Sequence, residues 1–279
     1  MCTVPGLRRF CRESYNEPGA VYEKLKSLGM DLVTITDHDS IDAAEELRRH
    51  PDFFLSEEAT CRMPSGTELH VGIYDITERD HLEIERRRHD LESLGAYLEE
   101  RRLLFSANHV FSSLTGRRRL EDFNCFGRLF PAIEARNGLM QRALNRRSEA
   151  LAAWMSKPAV GGSDAHAMPS VGNCFTEVHG AGSKREFLQG LRAGQGRVEG
   201  GAGGWWPLTR DVLLIGAGMA RENRWKAALV PLGLAVPLIT AANWVLEEGF
   251  SRWWFYRVRR RVRRSMNQKG CTAPAEVAV

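Results

Sequence analysis

The 279-residue sequence predicts an α/β fold of parallel βα units, as a sheet or a barrel, and three observations carry that expectation. Short apolar runs rich in β-branched residues recur along the chain, beginning with Leu32, Val33 and Ile35. Each of several runs stops in a packet of His, Asp, Glu or Asn side chains. Amphipathic helical stretches separate one packet from the next. Parallel α/β sheets and barrels place their chemistry at the carboxyl ends of strands, so such packets read as functional sites more readily than as polar loops.

Taken in order, Met1 to Asn16 is polar, Arg-rich and unpatterned. From Glu17 to Leu28, Val21, Leu25 and Leu28 form one apolar helical face, and Gly29 is placed to end that helix. The Asp31–Ser40 stretch is a strand running into Asp37-His38-Asp39, where Asp39 or Ser40 would also cap a helix over Ile41–Arg49. A second strand, Phe53–Ser56, ends in Glu57-Glu58. A third, Leu69–Ile76, carries His70 near its start and follows the turn Pro64-Ser65-Gly66. Glu78–Arg102 reads as one long charged helix. Leu103–Ala107 is a fourth strand ending in Asn108-His109, followed by a helix over Leu120–Leu129. Ala132–Ala135 precedes the helix Arg142–Met155, and Ala159–Gly161 runs into Gly162-Ser163-Asp164-Ala165-His166. Phe175–Val178 and the helix Lys184–Leu191 complete the repeated pattern.

A closed parallel barrel would bring His38, Glu58, His109, Asp164 and His166, with His70 on another strand, onto one face. Imidazole and carboxylate donors suit zinc, manganese or iron. A bridging carboxylate can hold two ions about 3.5 to 4 Å apart, an arrangement that activates water and clamps a phosphoryl group. A lone strand-end His is more often structural than a ligand; the alternation over several strands is what favours a metal site. His50, His81 and His89 lie in charged helical runs that should face solvent, and His179 lies in a glycine-flanked loop.

The formal net charge of +4 is carried by one end of the chain. From Ser251 onward there are eight Lys/Arg against one Asp/Glu. Removing these from the totals of 39 and 35 leaves 31 basic and 34 acidic residues, a net of −3. A general nucleic-acid-binding surface on the main domain is therefore not supported. The six cysteines are dispersed without paired spacing, so reduced thiols in a cytoplasmic setting are expected. No secretory signal pattern opens the sequence.

Thr36-Asp37-His38-Asp39, Glu58-Ala59-Thr60, Leu69-His70-Val71, Asn108-His109, Glu134-Ala135-Arg136-Asn137-Gly138 and Gly162-Ser163-Asp164-Ala165-His166 together resemble the successive motifs of the PHP (polymerase and histidinol phosphatase) family, over roughly residues 17 to 198. The resemblance implies a distorted, TIM-like (β/α)7 barrel, two or three divalent metals (Mn, Zn or Fe) and metal-assisted hydrolysis of phosphoesters. Carried across, His38, Glu58, His70, His109, Asp164 and His166 would be ligands, with Glu58 bridging and His38, Glu58 and Asp164 closest to the chemistry. Asp37 would orient His38, while Glu134 and Asn137 stay outside the ligand set. Arg117, Arg118 and Arg119 could approach a phosphate through their forked geometry, although a three-Arg loop is usually a solvated face.

The sequence departs from the family at the first motif, because no His precedes His38 to form a His-x-His. Met1-Cys2-Thr3 is similar to residues that should follow that motif. The barrel is therefore expected to lack its first strand, and sequence directly upstream is expected to encode one ending in His-x-His. The competing expectation is a catalytically degenerate PHP-like scaffold or binding protein at the membrane. The anticipated substrate is a small phosphoester, with nucleic acid only as a substrate.

Residues 1–198 thus read as the barrel, 199–224 as a Gly/Trp linker and short helix, and 225–279 as an apolar helix or hairpin with an Arg-rich tail. Ala227–Leu246 is free of charge and long enough for a membrane span of about 20 residues, but Pro231 and Pro237 interrupt it. A peripheral or monotopic attachment at the inner face of the cytoplasmic membrane is expected, with Trp205, Trp225, Trp244, Trp253 and Trp254 at headgroup level and the arginines on anionic lipid. The alternative is a soluble helical appendage packed on the barrel.

Overall fold

The computed structural model describes residues 12–113, 115–116, 118–222, 231 and 233–268, with side chains through 260. Arg117, Trp225 and much of the 227–235 stretch lie outside the described residues.

One five-stranded sheet runs in the order β1 (Ser56–Arg62), β2 (Glu68–Tyr74), β3 (Leu104–Ala107), β4 (Ala132–Asn137) and β5 (Ala159–Gly162). β3, β4 and β5 are parallel, as the alternation of strand and helix implies. β1 with β2, and β2 with β3, are antiparallel, which corrects the expectation of parallel units throughout. The reason is local. Gly66 N–H donates to the Met63 carbonyl and Met63 N–H to that of Thr67, so Pro64-Ser65-Gly66 folds the chain straight back as a hairpin with Cys61 opposite Leu69. β6 (Cys174–Val178) and β7 (Gly196–Gly200) form a separate antiparallel pair, and β7 has no counterpart in the sequence reading.

No closed barrel forms among the described residues, so the seven-stranded barrel is replaced by a mixed, curled sheet. The curl follows from distance. Glu58 on the first strand and Asp164, just past the fifth, offer ligand atoms within 4.8 Å of each other. Four interstrand gaps in a flat sheet would separate them by about 19 Å. The Asp31 stretch, expected as a full strand, lies beside β1 as two isolated parallel bridges, Val33 to Phe53 and His38 to Glu58. Thr34 Oγ1 donates to the Phe54 carbonyl at 2.7 Å, the acceptor that the next backbone rung would use.

The helices are α1 (Pro18–Ser27), α2 (Asp42–Glu45), α3 (Glu78–Arg87), α4 (Leu91–Glu100), α5 (Leu120–Leu129), α6 (Arg142–Trp154), α7 (Lys184–Arg192), α8 (Trp205–Glu222) and α9 (Val236–Gln268). The expected 78–102 helix is two, because the Asp90 side chain accepts from Ser93 N–H and caps a new start. The Gly200–Gly204 stretch is tied down: Gly201 N–H donates to the Asn173 carbonyl and Gly203 N–H to that of Met140.

α9 completes the core. Trp254, Phe255 and Val258 join the main buried cluster, Phe255 stacks on Trp154 at 5.0 Å, and Trp254 meets Phe123 at 5.6 Å. Arg147 holds Glu248 by two bonds of 3.0 and 2.7 Å and donates to Ser251. Trp254 therefore packs inside the protein, which corrects its expected place at a lipid headgroup. No described helix is long and apolar enough to cross a membrane.

Candidate metal centre

Glu58 projects from the middle of β1, opposite Gly72 of β2, and is 5% exposed. His38 follows the irregular edge segment, His70 lies on β2, His109 follows β3, and Asp164 and His166 follow β5. Two groups of donors result: His38, Glu58 and His70, and Glu58, His109 and Asp164, each with atoms within 4.8 Å of one another. Glu58 belongs to both. Its Oε2 lies 3.4 Å from His38 Nε2, and its Oε1 lies 3.1 Å from His109 Nε2 and 3.8 Å from His70 Nδ1. The His38 and His70 rings are 4.5 Å apart. His166 stands in neither group; its Nδ1 is 2.9 Å from the Asp164 carbonyl.

The supporting residues set orientations. Glu134 of β4 accepts from the His109 backbone N–H at 3.0 Å and lies 2.8 Å from His109 Nδ1, which holds the ring with Nε2 facing Glu58. The Asn137 amide donates at 3.0 Å to both Glu134 and Asp164. Behind Glu58, Asn108 donates to Oε1 at 2.8 Å, Ser106 donates to Asn108, and the Tyr74 hydroxyl pairs with Ser106. Gly72 makes room for this line, because a Cβ there would lie 2.7 Å from the Tyr74 hydroxyl and 3.0 Å from Asn108 Nδ2. Asp39, His109 and Asp164 hold left-handed backbone, at φ 52°, 48° and 48°. Non-glycine residues adopt that region at a cost, and it concentrates at functional sites.

Burial would raise the Glu58 pKa, but the His38, His109 and His70 imidazoles hold it well below the usual carboxylate range. Burial pushes His70 down to about 3, so it stays neutral with a free lone pair. Burial would also lower His109, yet Glu134 and Glu58 hold it well above its ordinary value. Burial raises the pKa of Asp37. The buried His38 Nδ1 and His70 Nδ1 have no hydrogen-bond partner, so Asp37 does not hold His38 through that nitrogen. His38 Nε2, His109 Nε2 and the unpartnered His70 Nδ1 converge on the Glu58 carboxylate, a donor set that fits divalent ions of the zinc, manganese or iron type.

The arginines go elsewhere. Arg118 is buried, donating to the Glu68 carbonyl and the Thr115 hydroxyl, and Arg119 opens α5 beside Glu121 at 3.7 Å. Arg117 lies outside the described residues. Glu134 and Asn137, expected outside the ligand set, orient His109 and Asp164, and Asn108, expected only at a strand end, holds Glu58. Their signal in the sequence was their position beside strand ends. Glu13, 3.8 Å from His38 Nε2, carried none. His81, expected to face solvent, is 2.6 Å from the buried Glu57.

A curled mixed sheet with buried imidazole and carboxylate donors around one shared glutamate defines an α/β protein equipped to bind metal. Residues 142–195 match the family model described as PHP-associated, a segment that contains the Gly162-Ser163-Asp164-Ala165-His166 packet. No curated protein matches the chain. Among solved structures, PsfC from Pseudomonas syringae is similar at 20% identity and a TM-score of 0.52, covering 76% of this chain and 94% of PsfC, which shows likeness of fold. A lesion-specific endonuclease, PfuEndoQ from Pyrococcus furiosus, aligns at 17% identity and a TM-score of 0.49 over 68% of this chain and 56% of its own. A protein of Bifidobacterium adolescentis described as a metal-dependent phosphoesterase aligns at 14% identity and a TM-score of 0.42, over 55% and 84%.

Proposed function

We propose that the chain hydrolyses a small phosphoester at a multinuclear divalent-metal centre. The observation that carries this reading is the sharing of Glu58 by two groups of donors. His38, Glu58 and His70 would hold one ion, and Glu58, His109 and Asp164 another, with His166 a further candidate donor. Ions so held supply Lewis-acid charge to a phosphoryl group and make water nucleophilic near neutral pH.

The chain's own residues do the rest. Glu58 places a buried negative charge between the two groups and is kept in place by Asn108. Glu134 fixes the direction of His109, and Asn137 ties Glu134 to Asp164, so the donors are positioned before any substrate arrives. The test is metal content of the purified chain together with turnover of a panel of small phosphoesters supplied with manganese, zinc or iron. Bound metal with turnover that Glu58→Gln abolishes is the expected result. Protein that takes up none of these metals, or binds them without turnover, would overturn the reading and leave the degenerate scaffold in its place.

A further inference from the structure

The buried residues of α8, and of α9 as far as Ser251, are polar, whereas Trp254, Phe255 and Val258 further along α9 enter the core. On α8 the buried residues are Thr209 and Asp211, while Leu213 and Leu214 are exposed. On α9 the protein-facing side carries Thr240, Glu247 and Ser251, each at most 5% exposed. Their polar groups are consumed inside: Thr240 pairs with Thr209, Glu247 accepts from Ser113 N–H, and Ser251 accepts from Arg147. The opposite side of α9 shows Leu238, Ile239, Val245, Leu246, Trp253 and Tyr256, with Leu238 76%, Val245 70% and Leu246 68% exposed. These positions recur at helical spacing and form one stripe about 27 Å long.

The stripe is graded along its length. Leu, Ile and Val occupy the first half; the aromatic rings of Trp253 and Tyr256 follow; Arg252, Arg257 and Arg260 surround the rings. Arg257 lies over the Trp253 ring at 4.5 Å and Arg260 over the Tyr256 ring at 5.2 Å. No Asp or Glu occurs from Gly249 to Arg260. We infer that this face of α9 lies on an anionic lipid surface, its aliphatic half in the acyl boundary, its aromatic rings at the headgroups and its arginines on lipid phosphate. The stripe occupies one side of α9 only, the pattern of a helix that lies on a surface. A second copy of the chain is a poorer occupant: a parallel partner would set arginines against arginines, and an antiparallel one would set them against Leu238 and Ile239. The inference does not depend on the metal centre.

Flotation of the full chain with unilamellar vesicles tests it, comparing phosphatidylcholine alone with phosphatidylcholine containing one-third phosphatidylglycerol. Binding is expected to the anionic vesicles, at least about tenfold stronger than to the neutral ones, and to weaken as salt is raised. The triple variant Leu238→Gln, Val245→Gln, Leu246→Gln changes exposed positions only and should keep the circular dichroism and thermal midpoint of the wild type while losing vesicle binding by more than about tenfold. Arg252→Glu with Arg257→Glu and Arg260→Glu should abolish the preference for anionic lipid. Failure of the wild type to float, equal binding to neutral vesicles, or undiminished binding by the folded triple variant would overturn the inference. So would a wild-type dimer in lipid-free solution that the triple variant converts to a monomer.

Discussion

Glu58 is surrounded by the imidazoles of His38, His70 and His109, and its two oxygens face different partners. Because it belongs to both donor groups, Glu58→Gln is expected to lower metal content at both, whereas His70→Ala should deplete only one; stoichiometry by elemental analysis separates the two outcomes. Glu134 touches His109 rather than a second donor group, so Glu134→Gln should weaken metal affinity by about 10- to 100-fold while the thermal midpoint changes little. The donor residues were legible because each sits in or beside a short apolar run, where the sequence shows both the strand and the polar packet. The direction of a long side chain was not: nothing in Arg118-Arg119 says that one guanidinium turns inward to the Glu68 carbonyl and the other stays beside Glu121. The place of Glu134 was hidden for a related reason, since a strand carboxylate reads alike whether it meets a metal or a neighbouring imidazole such as His109.

At the level of the element, α3 illustrates how strongly one buried acid can define a helix start. Asp80 accepts from Thr77 N–H at 2.9 Å, from the Tyr97 hydroxyl at 2.7 Å and from Arg101 at 2.9 Å. Burial opposes its ionisation, yet these donors hold its pKa below the usual carboxylate value. A depressed carboxyl stabilises the fold fully above the unfolded-state pKa of about 3.9, and that contribution is lost as the pH falls through the folded-state value. The urea midpoint of wild type should therefore exceed that of Asp80→Asn at neutral pH, and the gap should narrow only below about pH 4. Helices flanked by clear signals, such as α5 at Leu120–Leu129 and α7 beginning at Lys184, were readable almost to the residue. The Asp90 break was missed because charge continues across it, and β7 because Gly196–Gly200 is glycine-bounded and only half-buried, without the apolar run of a core strand.

Across the whole molecule, the sequence identified a chain of strands that brings distant donors together but overstated how it closes. Nothing in the apolar runs distinguishes a hairpin from a crossover except the short Pro64-Ser65-Gly66 connection, and that turn reverses two of the pairings assigned as parallel. The role of α9 was hidden for a different reason: Trp254 and Trp253 are identical letters, one in the core and the other on the surface. Trp254→Ala is expected to destabilise the protein by about 3–5 kcal/mol, measured as a shift of the complete unfolding transition rather than as fraying of α9 alone. The position of that tryptophan also bears on synthesis. Phe123 and Trp154 leave the ribosome long before Trp254 and Phe255, the rings that cover them. A nascent chain must therefore carry an uncovered aromatic cluster while the hundred residues that follow Trp154, up to Trp254, are made, so the core cannot finish packing until α9 has emerged, and the interval before then is when the chain is most exposed to misassociation.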